Sequence, residues 1–219
     1  MLGIIFTGGE CPPAGVIAKA LEGKEPLVIA ADSGLAAAEQ AGLRPRWIVG
    51  DMDSLDDVSR LAAYPPECVM RYEHEKDYTD TELAFSLAVE KGCDEIWISG
   101  GGGGRVDHLF AIRSLFERDV FPRRWITDGA DIHCIDANGS GAFSINSLFQ
   151  NGEKGAVVSV FPLGGGPWTA ESAGLKWPLE GLSWDRGFFG LSNVAVNGDF
   201  SITAEAGRFM VILPLGAIE

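Results

Sequence analysis

Residues 47–54 read Trp47-Ile48-Val49-Gly50-Asp51-Met52-Asp53-Ser54, an apolar run that gives way to a turn with two carboxylates. Similar junctions recur at Lys76-Asp77-Tyr78-Thr79-Asp80 and at Gly103-Gly104-Arg105-Val106-Asp107-His108. In an open α/β sheet such junctions lie along one edge, where ligands bind. Carboxylates gathered there repel each other, and a common reason to keep them is a hard divalent cation, usually Mg²⁺, that carries a polyphosphate. The segments therefore predict a Mg²⁺-dependent phosphoryl or pyrophosphoryl transferase.

Apolar runs of strand length alternate with helix-like stretches before residue 129. The predicted strands are Leu2–Thr7, Leu27–Ala31, Trp47–Val49, Cys68–Tyr72, Glu95–Ser99 and Arg124–Thr127. Helices are predicted from Pro12 to about Leu21, over Leu35–Ala41, from about residue 56 to Ala63, from Thr79 to Lys91 and around Leu109–Phe116. This alternation implies right-handed crossovers and a mostly parallel sheet, and continuous apolar strands fit a sheet that is covered on both faces.

The pattern changes after the sixth strand, beyond which no good helical stretch is found. Asn-Gly dipeptides at 138–139, 151–152 and 197–198 are hairpin-turn signals between β-prone runs. Those runs are Ile132–Asp136, Phe143–Ser147, Ala156–Phe161, Val194–Asn197, Phe200–Ala204 and Phe209–Leu213. The predicted fold class is therefore α/β, with an N-terminal open parallel α/β sheet domain (1–128) followed by a C-terminal antiparallel β-sandwich domain (129–219).

Composition narrows the classes of function. The 219 residues carry a net charge of −14, and without a basic face to neutralise a phosphate backbone we expect no nucleic-acid partner. The four cysteines stand far apart without a C-x-x-C pair, which argues against a zinc site and a disulfide framework. No apolar run approaches the ~20 residues of a membrane span, and the start reads as a first strand rather than a signal peptide. We expect a cytoplasmic protein with no membrane partner.

The acidic segments each allow a structural alternative. Asp51 and Asp53 point the same way, and could share a cation, if strand geometry persists through the preceding glycine; otherwise they are ordinary turn chemistry. Thr79-x-x-Glu82 has the spacing of a capping box, and Asp80 in the first helical turn is favourable by ~0.3–1 kcal/mol. Those roles need no catalysis. They leave unexplained Asp77 and its neighbour Lys76, which could neutralise a phosphate or be a surface lysine.

Five consecutive glycines, 100–104, are the most unusual local composition. Glycine lets backbone N–H groups approach a ligand closely, and the helix start that follows favours an anion. The alternative is a flexible turn, which five glycines make costly to order. Arg105 could clamp a phosphate bidentately, and Asp107 and His108 add a carboxylate and an imidazole at the same helix start.

Two other places also allow a binding and a structural interpretation. Asp32-Ser33-Gly34 follows the second strand and suits a ribose or phosphate contact, but it is equally a helix N-cap. Trp177 could stack on a cationic aromatic ligand, although with six tryptophans in the chain the residues alone favour a core or interface position.

In order and spacing, five segments resemble thiamine pyrophosphokinase over nearly the whole chain. They are Asp32-Ser33-Gly34, Gly50-Asp51-Met52-Asp53-Ser54, Lys76-Asp77-Tyr78-Thr79-Asp80, Gly103-Gly104-Arg105-Val106-Asp107-His108 and Gly190-Leu191-Ser192-Asn193. The resemblance implies an ATP-dependent transferase that moves pyrophosphate to the hydroxyl of thiamine with Mg²⁺, giving AMP and thiamine diphosphate. It also implies a homodimer. The active site would combine the acidic edge of one subunit with the thiamine-binding β domain of the other.

By matching position, the resemblance also assigns residue roles. The catalytic set is Asp51, Asp53, Asp77 and Asp80, of which Asp51, Asp53 and Asp80 would hold Mg²⁺. ATP and its phosphates fall to Asp32, Ser33, Lys76, Gly103, Gly104, Arg105, Asp107 and His108. Thiamine falls to Trp177, Ser192 and Asn193, contributed by the second subunit. A carboxylate beside the hydroxyl, Asp80 or Asp53, would take its proton.

Three departures from the family pattern are visible: Met52 for Phe, Ser33 for Gly, and Val194 where Glu often follows Ser-Asn. Val194 bears on thiamine recognition and leaves the acidic segments intact. Two rival functions remain open. A haloacid-dehalogenase-like phosphatase also has Asp-x-Asp after a strand, but after its first strand rather than its third. A non-catalytic nucleotide- or vitamin-binding regulator could use the same fold, although the complete acidic set argues against it.

Overall fold

The computed structural model describes residues 1–55, 57–73, 77–139, 141–145, 156–185 and 187–215. The chain forms two compact units, Met1–Asp128 and Gly129–Glu219. The first contains a parallel sheet with helices and the second contains antiparallel strands, which confirms the predicted fold class. No helix in the described ranges is long and apolar enough to cross a membrane.

The strands of the first unit all run parallel. They are β1 (Leu2–Phe6), β2 (Leu27–Ala31), β3 (Trp47–Gly50), β4 (Val69–Arg71), β5 (Glu95–Ser99) and β6 (Arg124–Ile126). Their order is β6-β5-β1-β2-β3-β4. Successive strands are therefore added to one side of β1 up to β4 and to its other side from β5 onward. Loops leave the sheet in opposite directions where the side changes, which opens a crevice at the carboxyl ends of the strands.

Four α-helices connect these strands: α1 (Ala14–Ala20), α2 (Gly34–Gln40), α3 (Asp80–Glu90) and α4 (Val106–Leu115). Two 3₁₀ helices, Val58–Ala63 and Pro66–Cys68, precede β4, so the helix predicted to end at Ala63 is a 3₁₀ helix. The predicted capping box of α3 is confirmed: Glu82 N–H donates to Thr79 Oγ1 at 3.2 Å, and Thr79 N–H donates to the Glu82 carboxylate at 2.9 Å.

The second unit is built from two antiparallel sheets. Its strands are β7 (Ala130–Asp136), β8 (Ala142–Ile145), β9 (Ala156–Leu163), β10 (Thr169–Ala173), β11 (Gly190–Ala195), β12 (Phe200–Ala206) and β13 (Arg208–Pro214). One sheet has the order β11-β9-β13-β7 and the other β10-β12-β8. Val158, Val160, Ile202, Phe209 and Val211 are fully buried in their common core.

Sequence reasoning found most of these strands but missed β10. Its residues, Thr-Ala-Glu-Ser-Ala, include one β-branched side chain and no aromatic one, so they carry little strand propensity. Pairing with β12 forms the strand regardless. The hairpins predicted at Asn-Gly 138–139 and 197–198 are wrong, although the dipeptides do follow β7 and β11. The strands on either side of each dipeptide lie in different sheets: β7 pairs with β13 but β8 with β12, and β11 pairs with β9 but β12 with β10. The dipeptide at 151–152 lies outside the described residues.

Candidate active site

The carboxyl ends of β1, β2, β3 and β5 surround a cleft of about 510 Å³ in the first unit. Its walls are the loops after those strands and the first turns of α3 and α4. The predicted site residues that line it are Asp32, Ser33, Asp51, Asp77, Asp80, Gly103, Gly104, Arg105 and His108. Asp53 and Asp107 are not part of the lining, and Lys76 lies outside the described residues.

An acidic triad of Asp32, Asp51 and Asp80 lies in this cleft. One carboxylate oxygen from each residue lies within 4.8 Å of the others. Asp32 is only 7% exposed. Burial raises the pKa of Asp32, a hydrogen bond from Ser54 opposes the rise, and the neighbouring carboxylates of Asp80 and Asp51 add to it. The charged triad is therefore electrostatically unfavourable without a cation.

The turn after β3 separates the two aspartates of the Asp-x-Asp segment. Gly50 has a φ of 147° and Met52 a φ of 66°, so strand geometry does not continue past β3 and this segment is the turn that the sequence left as the alternative. Asp51 joins the acidic triad. Asp53 is exposed, and its Oδ1 accepts a hydrogen bond from Ser54 Oγ at 2.9 Å. Asp53 is not a member of the carboxylate group found among the described residues.

Close backbone approach brings the triad together. A Cβ on Gly50 would lie 3.1 Å from Asp80 Oδ1 and 3.2 Å from Asp32 Cβ. Asp32 itself has a φ of 47°, a conformation that costs a non-glycine residue of order 1–3 kcal/mol. Strain of this kind persists where the surrounding structure holds it, and here it places the Asp32 carboxylate beside its partners. Met52, the departure from the family's Phe, is buried in an apolar cluster and leaves this arrangement intact.

The triad fits a hard divalent cation. Asp32 Oδ1 is buried and has no hydrogen-bond partner in the part of the chain that the structure describes. A buried carboxylate oxygen in this state is costly unless a positive charge satisfies it. Carboxylate oxygens are the donors that Mg²⁺, Ca²⁺ and Mn²⁺ prefer. Asp32, expected from the sequence to contact ATP, is therefore better suited to the metal.

The glycine-rich loop is tied to its neighbours by hydrogen bonds. Gly101 N–H donates to Gly8 O at 2.8 Å, and Glu10 and Gly102 exchange backbone hydrogen bonds of 2.7 and 3.1 Å. Trp125 Nε1 donates to Gly100 O at 2.7 Å. The segment after β1 and the glycine-rich loop after β5 are thus joined by an antiparallel bridge between Glu10 and Gly102, which removes the disorder that a free run of glycines would have.

Glycine is required in this loop because other atoms crowd it. A Cβ on Gly100 would lie 2.5 Å from the backbone oxygen of Thr7, and one on Gly102 would lie 1.9 Å from Asp128 Oδ1 and 3.0 Å from the backbone oxygen of Glu10. Gly103 has a φ of 61°, which favours glycine for a different reason. The loop backbone can therefore form a cleft wall without side chains in the way.

Arg105 and Asp107 form a bidentate ion pair at the start of α4. Arg105 Nε lies 3.1 Å from Asp107 Oδ1, and an Arg105 terminal nitrogen lies 2.5 Å from Asp107 Oδ2. The guanidinium lowers the pKa of Asp107. Both side chains are mostly exposed, so the pair contributes little stability. Asp107 holds Arg105 at the cleft, where the same fork geometry suits a phosphate.

The three predicted thiamine residues occupy different environments in the second unit. Trp177 is 53% exposed, so its side chain is not a core aromatic within this chain. Ser192 is exposed and has a φ of 57°. Asn193 is 4% exposed, and its amide is hydrogen bonded to the backbone of Trp177.

Sequence reasoning missed two threonines and a serine that support the cleft. Thr7 Oγ1 lies 2.6 Å from Thr81 Oγ1, which links β1 to α3 at the cleft wall. Ser54 lines the same cleft, where its hydroxyl donates to Asp53 and opposes the rise in the pKa of Asp32. No residue pattern marks these side chains, because each depends on a partner that is distant in sequence.

The comparisons with known proteins agree with this architecture. An open parallel sheet with clustered carboxylates at one edge, followed by a β-sandwich unit, suits a two-domain enzyme that acts on metal-bound phosphates. Residues 18–122 match the thiamin pyrophosphokinase catalytic domain, and residues 146–209 match the thiamin pyrophosphokinase vitamin B1 binding domain. The chain belongs to the thiamin pyrophosphokinase family, as the sequence resemblance predicted.

Individual relatives support the same assignment. Thiamine pyrophosphokinase of Bacillus subtilis (strain 168) is 36% identical over 95 residues, which span 43% of this chain and 44% of that protein. The crystal structure of thiamine pyrophosphokinase from Bacillus subtilis has a TM-score of 0.76 at 25% identity, covering 97% of this chain and 98% of that one. Yeast thiamin pyrophosphokinase shares the fold alone, with a TM-score of 0.68 at 14% identity over 99% of this chain and 87% of its own.

Proposed function

We propose that this protein transfers pyrophosphate from ATP to the hydroxyl of thiamine, forming thiamine diphosphate and releasing AMP. The observation that carries the proposal is the acidic triad of Asp32, Asp51 and Asp80 beside the glycine-rich loop, in a chain that matches both family domains. A phosphatase would need its carboxylate pair after the first strand, whereas Asp51 follows the third.

We propose Mg²⁺ as the metal and the triad as its main protein ligand set. When bound, Mg²⁺ would neutralise charge on the phosphate oxygens of ATP. Asp53 remains in the proposed catalytic set, together with Asp77, which lines the cleft at its rim. Asp53 lies outside the carboxylate group, so a contact between Asp53 and the metal would require the turn after β3 to rearrange.

The residues of the chain have separable tasks in the proposed reaction. The thiamine oxygen forms a bond to the β-phosphorus of ATP while the bond from that phosphorus to the AMP oxygen breaks. Arg105 and the glycine-loop backbone donate hydrogen bonds to the phosphates, where negative charge grows. The hydroxyl proton goes to a carboxylate, for which we propose Asp80 or Asp53. Alanine at the true base should reduce kcat far more than it weakens thiamine binding.

We also propose a homodimer in which the second unit of one subunit supplies the thiamine contacts of the other. Support comes from apolar side chains that are exposed in the single chain: Trp177, Phe188, Phe189 and Leu191. Large apolar side chains left exposed in one unit favour an association surface there. Light scattering coupled to size exclusion tests the proposal, and a monomer at assay concentration would contradict it. A cytoplasmic location stays a prediction.

The deciding experiment is AMP release from ATP and Mg²⁺, with and without thiamine, on the wild type and Asp51→Ala. Thiamine-dependent AMP that is lost in the variant is the expected result. ADP or phosphate released without thiamine would favour a simple kinase or phosphatase. Binding of ATP and thiamine without AMP release would favour the non-catalytic regulator.

A further inference from the structure

A short segment of the second unit, residues 174–177, pairs with β11. Lys176 N–H donates to Val194 O at 2.8 Å, and Leu175 and Ala195 form an antiparallel bridge. In this register Lys176 lies opposite Val194, and Trp177 lies opposite Asn193. Backbone groups form the hydrogen bonds up to Lys176, whereas at Trp177 the partner is the side chain of Asn193.

Asn193 uses its side-chain amide in place of a backbone group. Trp177 N–H donates to Asn193 Oδ1 at 3.1 Å, and Asn193 Nδ2 donates to Trp177 O at 2.6 Å. The N–H of Val194 also donates to Asn193 Oδ1, at 2.8 Å. Both heteroatoms of the amide are thus engaged with backbone, and the residue is buried. These hydrogen bonds fix the backbone of Trp177 from both sides, as a regular strand pair would.

The backbone conformation of Ser192 sets the direction of the Asn193 side chain. The pairing of β11 with β9 shifts register between Gly190 and Asn193, and Ser192 within the shift has a φ of 57°. Ser192 N–H donates to Ser159 Oγ at 3.1 Å, which anchors this irregular point. Non-glycine residues rarely keep a left-handed conformation unless the surrounding structure holds it. The bulge therefore serves to direct an amide toward Trp177.

The ring of Trp177 is open although its backbone is held. More than half of the residue is exposed, and Lys176 Nζ lies 4.5 Å from the ring centroid. The ammonium group covers part of the indole, while the rest of its surface can stack against a planar heterocycle. A rigid backbone under an exposed aromatic ring is what a stacking surface requires, because ordering the ring in advance reduces the entropy lost on binding.

We propose that Asn193 is a positioning residue: it does not touch thiamine but fixes Trp177, whose ring stacks on a planar heterocycle of thiamine. The inference rests on the proposed function, and it replaces the direct thiamine contact that the family resemblance assigned to Asn193. The two assignments differ in one measurable way. A positioning residue acts only while the Trp177 ring is present.

The test is a double-mutant cycle on thiamine-dependent AMP release. Loss of a stacking ring in Trp177→Ala should raise the KM for thiamine about tenfold, within the range measured for aromatic stacking. Asn193→Ala should raise it about fivefold, with kcat and the KM for ATP within about twofold of wild type. In the double variant, Asn193→Ala should add nothing to Trp177→Ala. Effects that multiply would show direct contact with thiamine and would overturn the proposal.

Matched variants keep the test decisive. Asn197→Ala removes an exposed asparagine in the turn after β11 and should leave the KM for thiamine unchanged. If Asn193→Ala does not fold, Asn193→Asp runs the same cycle, because it keeps the shape and the acceptor but loses the donor to Trp177 O. A wild-type KM in Trp177→Ala would overturn this inference alone. Absence of thiamine-dependent AMP in the wild type would instead defeat the proposed function.

Discussion

The two units hold their candidate site residues by contrasting means. In the first, the acidic triad comes from two loops and the first residue of α3, is brought together by positive φ angles, and is partly buried. In the second, Trp177 is exposed and neutral, and one buried amide holds its backbone. Parallel strands bring distant loops to one edge, so they can concentrate charge. An antiparallel edge offers backbone pairing, so it can present a ring. Four predictions test whether the first unit supplies the charged site and the second unit supplies the aromatic ring.

The largest expected effect is on the charged site. Asp51→Ala should reduce AMP release at least about a hundredfold, since metal stabilisation of phosphoryl charge is worth several kcal/mol. The melting temperature should not fall, because the variant relieves repulsion within the acidic triad. Steady-state kinetics and thermal unfolding measure both. Asp119→Ala, which removes an exposed carboxylate after α4, is the matched control.

A comparison with Asp53 sharpens this prediction. Asp53→Ala should reduce turnover less than Asp51→Ala, because Asp53 lies outside the carboxylate group. The opposite order would show that the turn after β3 rearranges when the metal binds. Equal rates for Asp51→Ala and Asp119→Ala would remove the triad from catalysis altogether.

The next prediction asks whether the two kinds of site meet across a dimer. Asp51→Ala and Trp177→Ala are mixed under conditions of subunit exchange and assayed at low thiamine. If one subunit supplies carboxylates and the other supplies the ring, half of the dimers regain one intact site. Activity should then recover to about a quarter of wild type in a twofold-symmetric dimer. Activity near half that of Trp177→Ala alone would show that each chain completes its own site.

A third prediction concerns the glycine-rich loop, residues 100–104, which forms one wall of the cleft. Gly102→Ala should lower the free energy of unfolding by about 1–3 kcal/mol, the usual effect of overpacking, because its Cβ would lie 1.9 Å from Asp128 Oδ1. Gly15→Ala, in α1 with no atom near its Cβ, should instead raise it by about 0.5–1 kcal/mol. Urea unfolding measures both variants. A neutral Gly102→Ala would mean that the Asp128 side chain turns away from the new methyl group without cost, and that Gly102 is not needed for packing.

The sequence predicted the architecture well because local patterns determine it. The alternation of strands and helices and the Thr79–Glu82 capping box are short-range signals, and the structure contains both. The Asn-Gly dipeptides correctly mark chain reversals after β7 and β11 but not hairpins, because strand pairing in the second unit is long-range. The position of the acidic segments at one sheet edge follows from parallel topology alone. Which carboxylates actually meet does not follow, because that depends on backbone angles.

Asp32 and Asn193 show what local patterns leave out. The carboxylate of Asp32 lies beside those of Asp51 and Asp80 because Asp32 has a φ of 47°. The residue type alone does not predict that backbone angle. Asn193 stands in a motif that suggests a ligand, yet its amide is committed to the backbone of Trp177. Each role is set by a partner more than ten positions away.

The smallest expected effect tests the charge on Asp32 directly. Burial raises the pKa of Asp32, so the charged form of this carboxyl is less favourable in the folded protein than in the unfolded chain. The sign follows: stability is greatest below the unfolded pKa and is lost as pH rises through the raised folded value. Asp32→Asn should therefore be more stable than wild type at neutral pH without Mg²⁺. A gain of about 1 kcal/mol corresponds to about 2–4 °C in Tm.

Two comparisons make this last prediction decisive. The difference between Asp32→Asn and wild type should shrink as pH falls, because the wild-type carboxyl becomes neutral as well. Added Mg²⁺ should raise the Tm of wild type and leave Asp32→Asn nearly unchanged, since the variant lacks a charged ligand. Thermal scans at several pH values with and without Mg²⁺ test both. A variant less stable than wild type at neutral pH would show that polar contacts to the Asp32 carboxylate, above all with Ser54, outweigh the repulsion within the triad. The triad would then need no metal ion to be stable.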